Sequence, residues 1–283
     1  MEVTVTQMET LQLIYALLIG MTVGSFLNVV AWRVPRGESI VRPGSRCTSC
    51  GNAIPWYDNI PVLSWFILRG RCRNCGARFS IRYALVELLT GLLFAGIFLK
   101  FGISWLFVKN AVFVSLLICV VLTDIDHWII LDSVSLGGIV IGLAFSLIPG
   151  GVGILPSLLS AAGAFSLFFL IRFVSELILK RRPGYTIAPE GHEDEVDEFQ
   201  GGMGWGDIKL AGMIGAFLGP SSTAMALFIA FLTGALTGIA VIIAGRNRRI
   251  PIPFGPFLAL GAIVAVFAGK ALWWFYLEAG SNL

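Results

Sequence analysis

Two aspartates far apart in the sequence stand where carboxylates are costly. Asp124 follows the apolar run that ends Val120-Val121-Leu122-Thr123, and Asp207 follows Gly204-Trp205-Gly206 and opens a further apolar stretch. Acidic groups inside or at the ends of membrane-length runs are expensive and usually functional. Two carboxylates brought close cannot easily both ionise, so they share a proton. The ionised member can take a proton from a water that attacks a carbonyl carbon, while the protonated member donates to the carbonyl oxygen. Such a pair titrates as a unit and supports peptide hydrolysis. The same two groups could relay protons through a transporter, and each alone could cap a helix or face water. Gly204 and Gly206 lack a Cβ, so a substrate backbone could lie close to the chain beside Asp207. Asp126 and Asp132 read most simply as capping or loop residues, and Glu87 and Glu176 are the other notable acidic residues within or at the ends of the apolar runs.

Four of the five cysteines form a second constellation. Cys47-x-x-Cys50 and Cys72-x-x-Cys75 are separated by 21 residues. Four thiolates in two such pairs suit a closed, tetrahedral, structural zinc site, and two redox-active pairs are the alternative. A small insert has little core of its own, so a metal staple has a physical purpose, and Trp56, Tyr57, Trp65 and Phe66 could pack over it. Cys119 lies in an apolar run and reads as a small buried hydrophobe. His127 and His192 show no partner pattern.

The elements that must position these groups are membrane spans. Hydrophobic residues make up 57% of the 283 residues and charged ones only 13%, against about 25% charged in a soluble domain. The mean hydropathy is +0.85. A net charge of +3 gives no reason to expect nucleic-acid binding. A span needs about 20 apolar residues. The runs 11–32, 83–102, 104–123, 134–149, 152–179, 221–244 and 257–277 meet or approach that length, and a short eighth, 208–219, ends at Gly219-Pro220. The first run follows acidic Glu2 and Glu9 and is too long for a signal-peptide core, so it reads as a permanent span. No internal repeat is evident.

The expected fold is therefore an all-α polytopic membrane protein of about eight transmembrane helices with a small cytoplasmic zinc-binding insert. Residues 1–32 supply the first span, 33–82 the cysteine-rich insert, and 83–283 a seven-span domain interrupted by a flexible acidic loop, 183–203. With the N-terminus periplasmic, segments 33–82, 172–182, 207–209 and 245–249 fall at the cytoplasmic side. They carry every Lys and Arg except Lys100, Lys109 and Lys270, as the positive-inside rule requires. The C-terminus is then periplasmic, and Asp124 and Asp207 share one depth at the cytoplasmic face. The nine arginines of the insert could also contact anionic lipid headgroups.

Several stretches resemble one family. They are Gly24-Ser25-Phe26-Leu27-Asn28-Val29-Val30 with Arg33 and Pro35, the cysteine insert with Trp56 to Trp65 and Gly70-Arg71 between its pairs, and Arg82-Tyr83 with Val86-Glu87-Leu88-Leu89-Thr90. They continue with Thr123-Asp124-Ile125-Asp126, Gly204-Trp205-Gly206-Asp207-Ile208-Lys209 and Ile252-Pro253-Phe254-Gly255-Pro256-Phe257. In this order, from about residue 24 to 257, they resemble the bacterial type IV prepilin peptidases, aspartic proteases with a GxGD motif. The resemblance implies Asp124 and Asp207 as the catalytic pair, with Gly204, Gly206 and Lys209 in the supporting loop. It implies removal of a basic leader from prepilins or type II secretion pseudopilins at the inner membrane. Family members carrying the double CxxC often also N-methylate the new N-terminus with S-adenosylmethionine, and this implies a second activity here. No residues for the methyl donor are legible. A presenilin-like GxGD protease is the nearest alternative, and the cysteine insert argues against it.

Overall fold

The computed structural model describes residues 5–180, 203–244 and 252–281. The acidic loop expected at 183–203, apart from Met203, and the basic cluster 245–249 lie outside the described residues. Among those described, eight long helices occur and no strand beyond two isolated bridges. They are α1 (Val5–Arg33), α2 (Ile81–Phe101), α3 (Trp105–His127), α4 (Asp132–Ser146), α5 (Ile154–Lys180), α6 (Trp205–Leu218), α7 (Pro220–Ile243) and α8 (Gly255–Ser281). Each expected apolar run is a helix. Six of the eight are long and apolar enough to cross a membrane, whereas α4 has 15 residues and α6 has 14. At 1.5 Å per residue the two short helices reach only about 21–23 Å, less than the roughly 30 Å hydrocarbon layer.

The chain divides into two compact units, Met1–Thr123 and Asp124–Leu283. In the first, α1 and α2 pack antiparallel through small residues. A Cβ on Gly20 would meet Phe94 and Gly91, and one on Gly24, a turn further along, would meet Glu87 and Thr90 on the preceding turn of α2. Lipid offers helices no hydrophobic reason to associate, so contact depends on this close backbone approach. Phe107 of α3 meets the edges of Phe94 and Phe98. Between α1 and α2 lies the insert, entered through a one-turn 3₁₀ helix (Val34–Arg36) that ends at left-handed Gly37.

In the second unit the short α6 is the core. Ile208, Leu210, Ala211, Met213, Ile214 and Phe217 are all fully buried. Burial among other helices is how so short an apolar element can exist at membrane depth. Gly142 of α4 lies against Ala216 and Phe217, and Gly215 lies against the Ser160 carbonyl and Ala161 of α5. The Ser160 hydroxyl donates to Thr223 Oγ1 of α7 at 3.0 Å. Phe168 of α5, Phe231 of α7 and Phe254 stack into one cluster, with centroids 5.4–6.2 Å apart.

Gly215→Ala would place a Cβ 2.5 Å from the Ser160 oxygen, a backbone atom that cannot rotate away. We expect a clear fall in melting temperature, from overpacking of about 1–3 kcal/mol. Gly163→Ala on α5, where a Cβ meets nothing within 4 Å, should leave the melt unchanged. Thermal unfolding in one detergent compares the two directly.

Candidate functional site

Asp124 sits in the last turn of α3 and is 6% exposed. A buried carboxylate needs donors. The backbone N–H of Gly255 gives one, to Oδ2 at 3.0 Å. Gly255 is held there because Phe254, its neighbour, is anchored among Phe168, Phe231 and Phe257. Asp126, two residues on, is exposed. Geometry thus separates the two aspartates of Thr123-Asp124-Ile125-Asp126: the first is sequestered and held, and the second faces outward.

Asp207 lies in the first turn of α6 and is half-buried. Gly204 is the residue before the helix, in extended conformation, and gives no side-chain cap. Gly206 is buried, and a Cβ there would stand 2.8 Å from Cβ of Ile130. Lys209 reaches the same segment, its Nζ lying 2.6 Å from Oδ1 of Asp132. Gly206 and Lys209 therefore fix the start of α6 against residues 130–132, the stretch that follows Asp124. Asp132 begins α4 at its first residue, after Leu131 in the cap position, and acts as the tether's anion more than as a cap. The N-terminal end of a helix favours negative charge, which suits Asp207 where it stands.

In the first unit, the four sulfurs of Cys47, Cys50, Cys72 and Cys75 all lie within 4.8 Å of one another. Cys47 and Cys75 Sγ are 3.8 Å apart. A tetrahedral ion bound to thiolates at about 2.3 Å sets its sulfurs about 3.8 Å apart, so the four residues fit a metal, and the alternative of two separate redox pairs does not require this gathering. Each pair sits on the same small hairpin. Gly51 N–H donates to Cys47 O and Cys47 N–H to Asn52 O; Gly76 N–H donates to Cys72 O and Cys72 N–H to Ala77 O. Gly51 and Gly76 have φ of +72° and +71°, where a side chain is strained. The insert thus contains a short duplication, Cys-x-x-Cys-Gly, that was not read from the sequence. Backbone N–H groups of Cys50 and Ser49 draw the Cys47 thiol down to about 6, toward the thiolate that a metal binds. The Ala77 N–H also draws Cys75 down, but burial and the three neighbouring thiols push it further up, to about 11. Four sulfurs so close resist ionising together without a cation among them.

Of the aromatic residues expected over this cluster, Trp65 packs on Gly70 and donates to the Phe79 carbonyl, whereas Trp56 is exposed. Arg33 is buried and ties the entrance of the insert by donating to the carbonyls of Ser39, Pro43 and Gly44. Glu87 of α2 accepts from Val62 N–H at 2.7 Å. A cavity of about 760 Å³ opens between the insert and the ends of α1 and α2. Sequence reasoning gave no role to Arg33 or Gly255; their signal was present only as membership of recognised blocks.

The chain is similar to known proteins of one family. The model of the bacterial peptidase A24 N-terminal domain matches residues 18–101, and that of the type IV leader peptidase family matches residues 111–239. The chain is 39% identical to the prepilin leader peptidase/N-methyltransferase of Myxococcus xanthus, over 82% of this chain and 63% of that protein. It is 34% identical to the protein of that name from Bacillus subtilis, over 92% of this chain and 95% of that one. Against the Neisseria gonorrhoeae protein it is 32% identical, over 91% of both. No solved structure matches. With both family models in sequence order, and near full-length relatives, this multi-pass chain belongs to the type IV leader peptidase family.

Proposed function

We propose that this protein removes the leader from type IV prepilins or type II secretion pseudopilins and that Asp124 and Asp207 do the chemistry. The observation that carries the reading is the buried Asp124, held through Oδ2 by the Gly255 N–H, with the start of α6 fastened to the segment just beyond it. Asp124 lies in the last turn of α3, and Asp207 comes from a helix end whose position Gly206 and Lys209 set. One carboxylate takes the water's proton as the oxygen attacks the scissile carbonyl. Its partner gives a proton first to the carbonyl oxygen, and a proton then passes to the leaving amine. Both lie at the cytoplasmic face of the inner membrane, with both termini periplasmic; the placement of nearly all basic residues supports this orientation.

Asp124→Asn and Asp207→Asn should each abolish cleavage of a purified prepilin, read by mass spectrometry of its N-terminus. The double variant should be no worse, because members of one unit are not additive. Asp126→Asn should retain cleavage. Normal cleavage by either single variant at 124 or 207 sinks the aspartic mechanism.

The four cysteines hold a structural zinc ion, whose borderline-soft character and closed tetrahedral geometry match a four-thiolate set. Elemental analysis should find about one zinc per chain, absent from Cys47→Ser/Cys72→Ser. Zinc persisting in that double variant would place it elsewhere.

Methylation of the new N-terminus is the second activity, with S-adenosylmethionine supplying the methyl group. The cavity beside the insert is the site that suits this donor. Its lining carries both signs of charge, with Glu38 and Glu87 against Arg46 and Arg71, and the donor is an amino acid that also bears a sulfonium. Asn28 and Glu87 would hold it. Calorimetry should detect S-adenosylhomocysteine binding, weakened by Glu87→Gln, which keeps an acceptor for Val62. Unchanged affinity in that variant excludes the cavity, and failure of cleaved substrate to gain label from labelled S-adenosylmethionine removes the activity.

A further inference from the structure

Arg172 has no place in the chemistry above, and its surroundings make it costly. It lies inside α5 among Phe168, Phe169, Leu170 and Phe173, and it is 8% exposed. A guanidinium kept from water needs its donors occupied. Its Nε lies 2.9 Å from Oε1 of Glu176, one turn on. Its Nη1 donates to the backbone carbonyl of Met203 at 2.9 Å. Its guanidinium carbon lies over the Trp205 ring, 5.0 Å from the centroid. Trp205 is also packed by Phe169, at 6.0 Å between ring centroids. One side chain therefore grips both flanks of Gly204, and through them the turn Met203-Gly204-Trp205-Gly206 that delivers Asp207.

That turn needs an outside hold. Gly204 offers no cap to α6, and glycine is the residue least able to restrict its own backbone. Gly206 and Lys209 fix the helix side of Asp207 but not the approach to it. Glu176 completes the device by holding Nε, so that Nη1 reaches the Met203 carbonyl while the guanidinium stays over the indole. Lysine, a compact point charge on a flexible stem, lacks the fork that lets arginine make all three contacts at once.

We propose that Arg172 is a positioning residue for Asp207, acting as a clamp on the backbone turn before it. This rests on the reading of Asp207 as catalytic. Small displacements of a reacting group cost up to about 100-fold in rate. Arg172→Met, which keeps the apolar stem and loses all three contacts, should therefore lower kcat for prepilin cleavage by about 10–100-fold, with KM within about threefold. Arg172→Lys should recover a substantial part of that loss. Hydrogen exchange by mass spectrometry on the full-length protein should show faster exchange in peptides covering 203–210 in Arg172→Met, with exchange elsewhere unchanged. Two results overturn the proposal: kcat in Arg172→Met within twofold of the parent, or equal losses in the Met and Lys variants together with a lowered melting temperature, which marks a stability element only. If the parent protein cuts no prepilin, the functional reading fails by itself, and the exchange of residues 203–210 still decides whether the clamp exists.

Discussion

A carboxylate removed from water and given no donor does not stay charged, and one given a flexible donor does not stay in place. Asp124 is supplied by a main-chain N–H, that of Gly255, and much of the second unit can be read as the means of keeping that N–H where it is. Phe254 is the anchor. Its ring is shared between Phe168 on α5 and Phe231 on α7, so a loop that would otherwise be free is pinned by two membrane helices. A backbone donor cannot change rotamer, and nothing short of moving the loop displaces it.

The second aspartate is positioned by a different strategy. Asp207 depends on a short helix buried on nearly every side and on glycines where neighbours come too close for a Cβ. Gly206 against Ile130 is a steric register mark, and Lys209 with Asp132 is an electrostatic one. The ion pair is partly exposed and contributes modestly to stability, about 0–1 kcal/mol for surface pairs. Its value is directional, because it links the first helical turns of α4 and α6.

Much of this was legible in the sequence, for physical reasons. Apolar runs of membrane length have few alternatives to helix, so the eight long helices among the described residues could be read, and the two shortest were also the shortest runs. The cysteines are rare and closely spaced, so their gathering could be foreseen. What escaped was whatever depends on backbone groups or on lone residues within apolar surroundings. Nothing in the composition of Ile252–Phe257 says that Gly255 N–H meets a carboxylate 131 positions earlier. Arg172 looked like one more cytoplasmic positive charge, since a charge count does not reveal where a guanidinium points. The hairpin pair around the cysteines was hidden because its likeness lies in hydrogen bonds and in two positive φ angles more than in side chains.

Each turnover of a hydrolase consumes a water molecule, and a membrane is the solvent least able to provide one. Asp124 is shut away, yet its near neighbours in the chain are not: Asp126 is exposed, and the side chain of Asp132, though paired with Lys209, is 61% exposed. These polar groups make a wettable apron around a dry carboxylate. Water drawn to Asp126 would stand two residues along the chain from Asp124, the carboxylate we propose as catalytic. The apron would therefore govern the supply of the second reactant, and drying it with apolar substitutions would starve a site whose peptide substrate still binds.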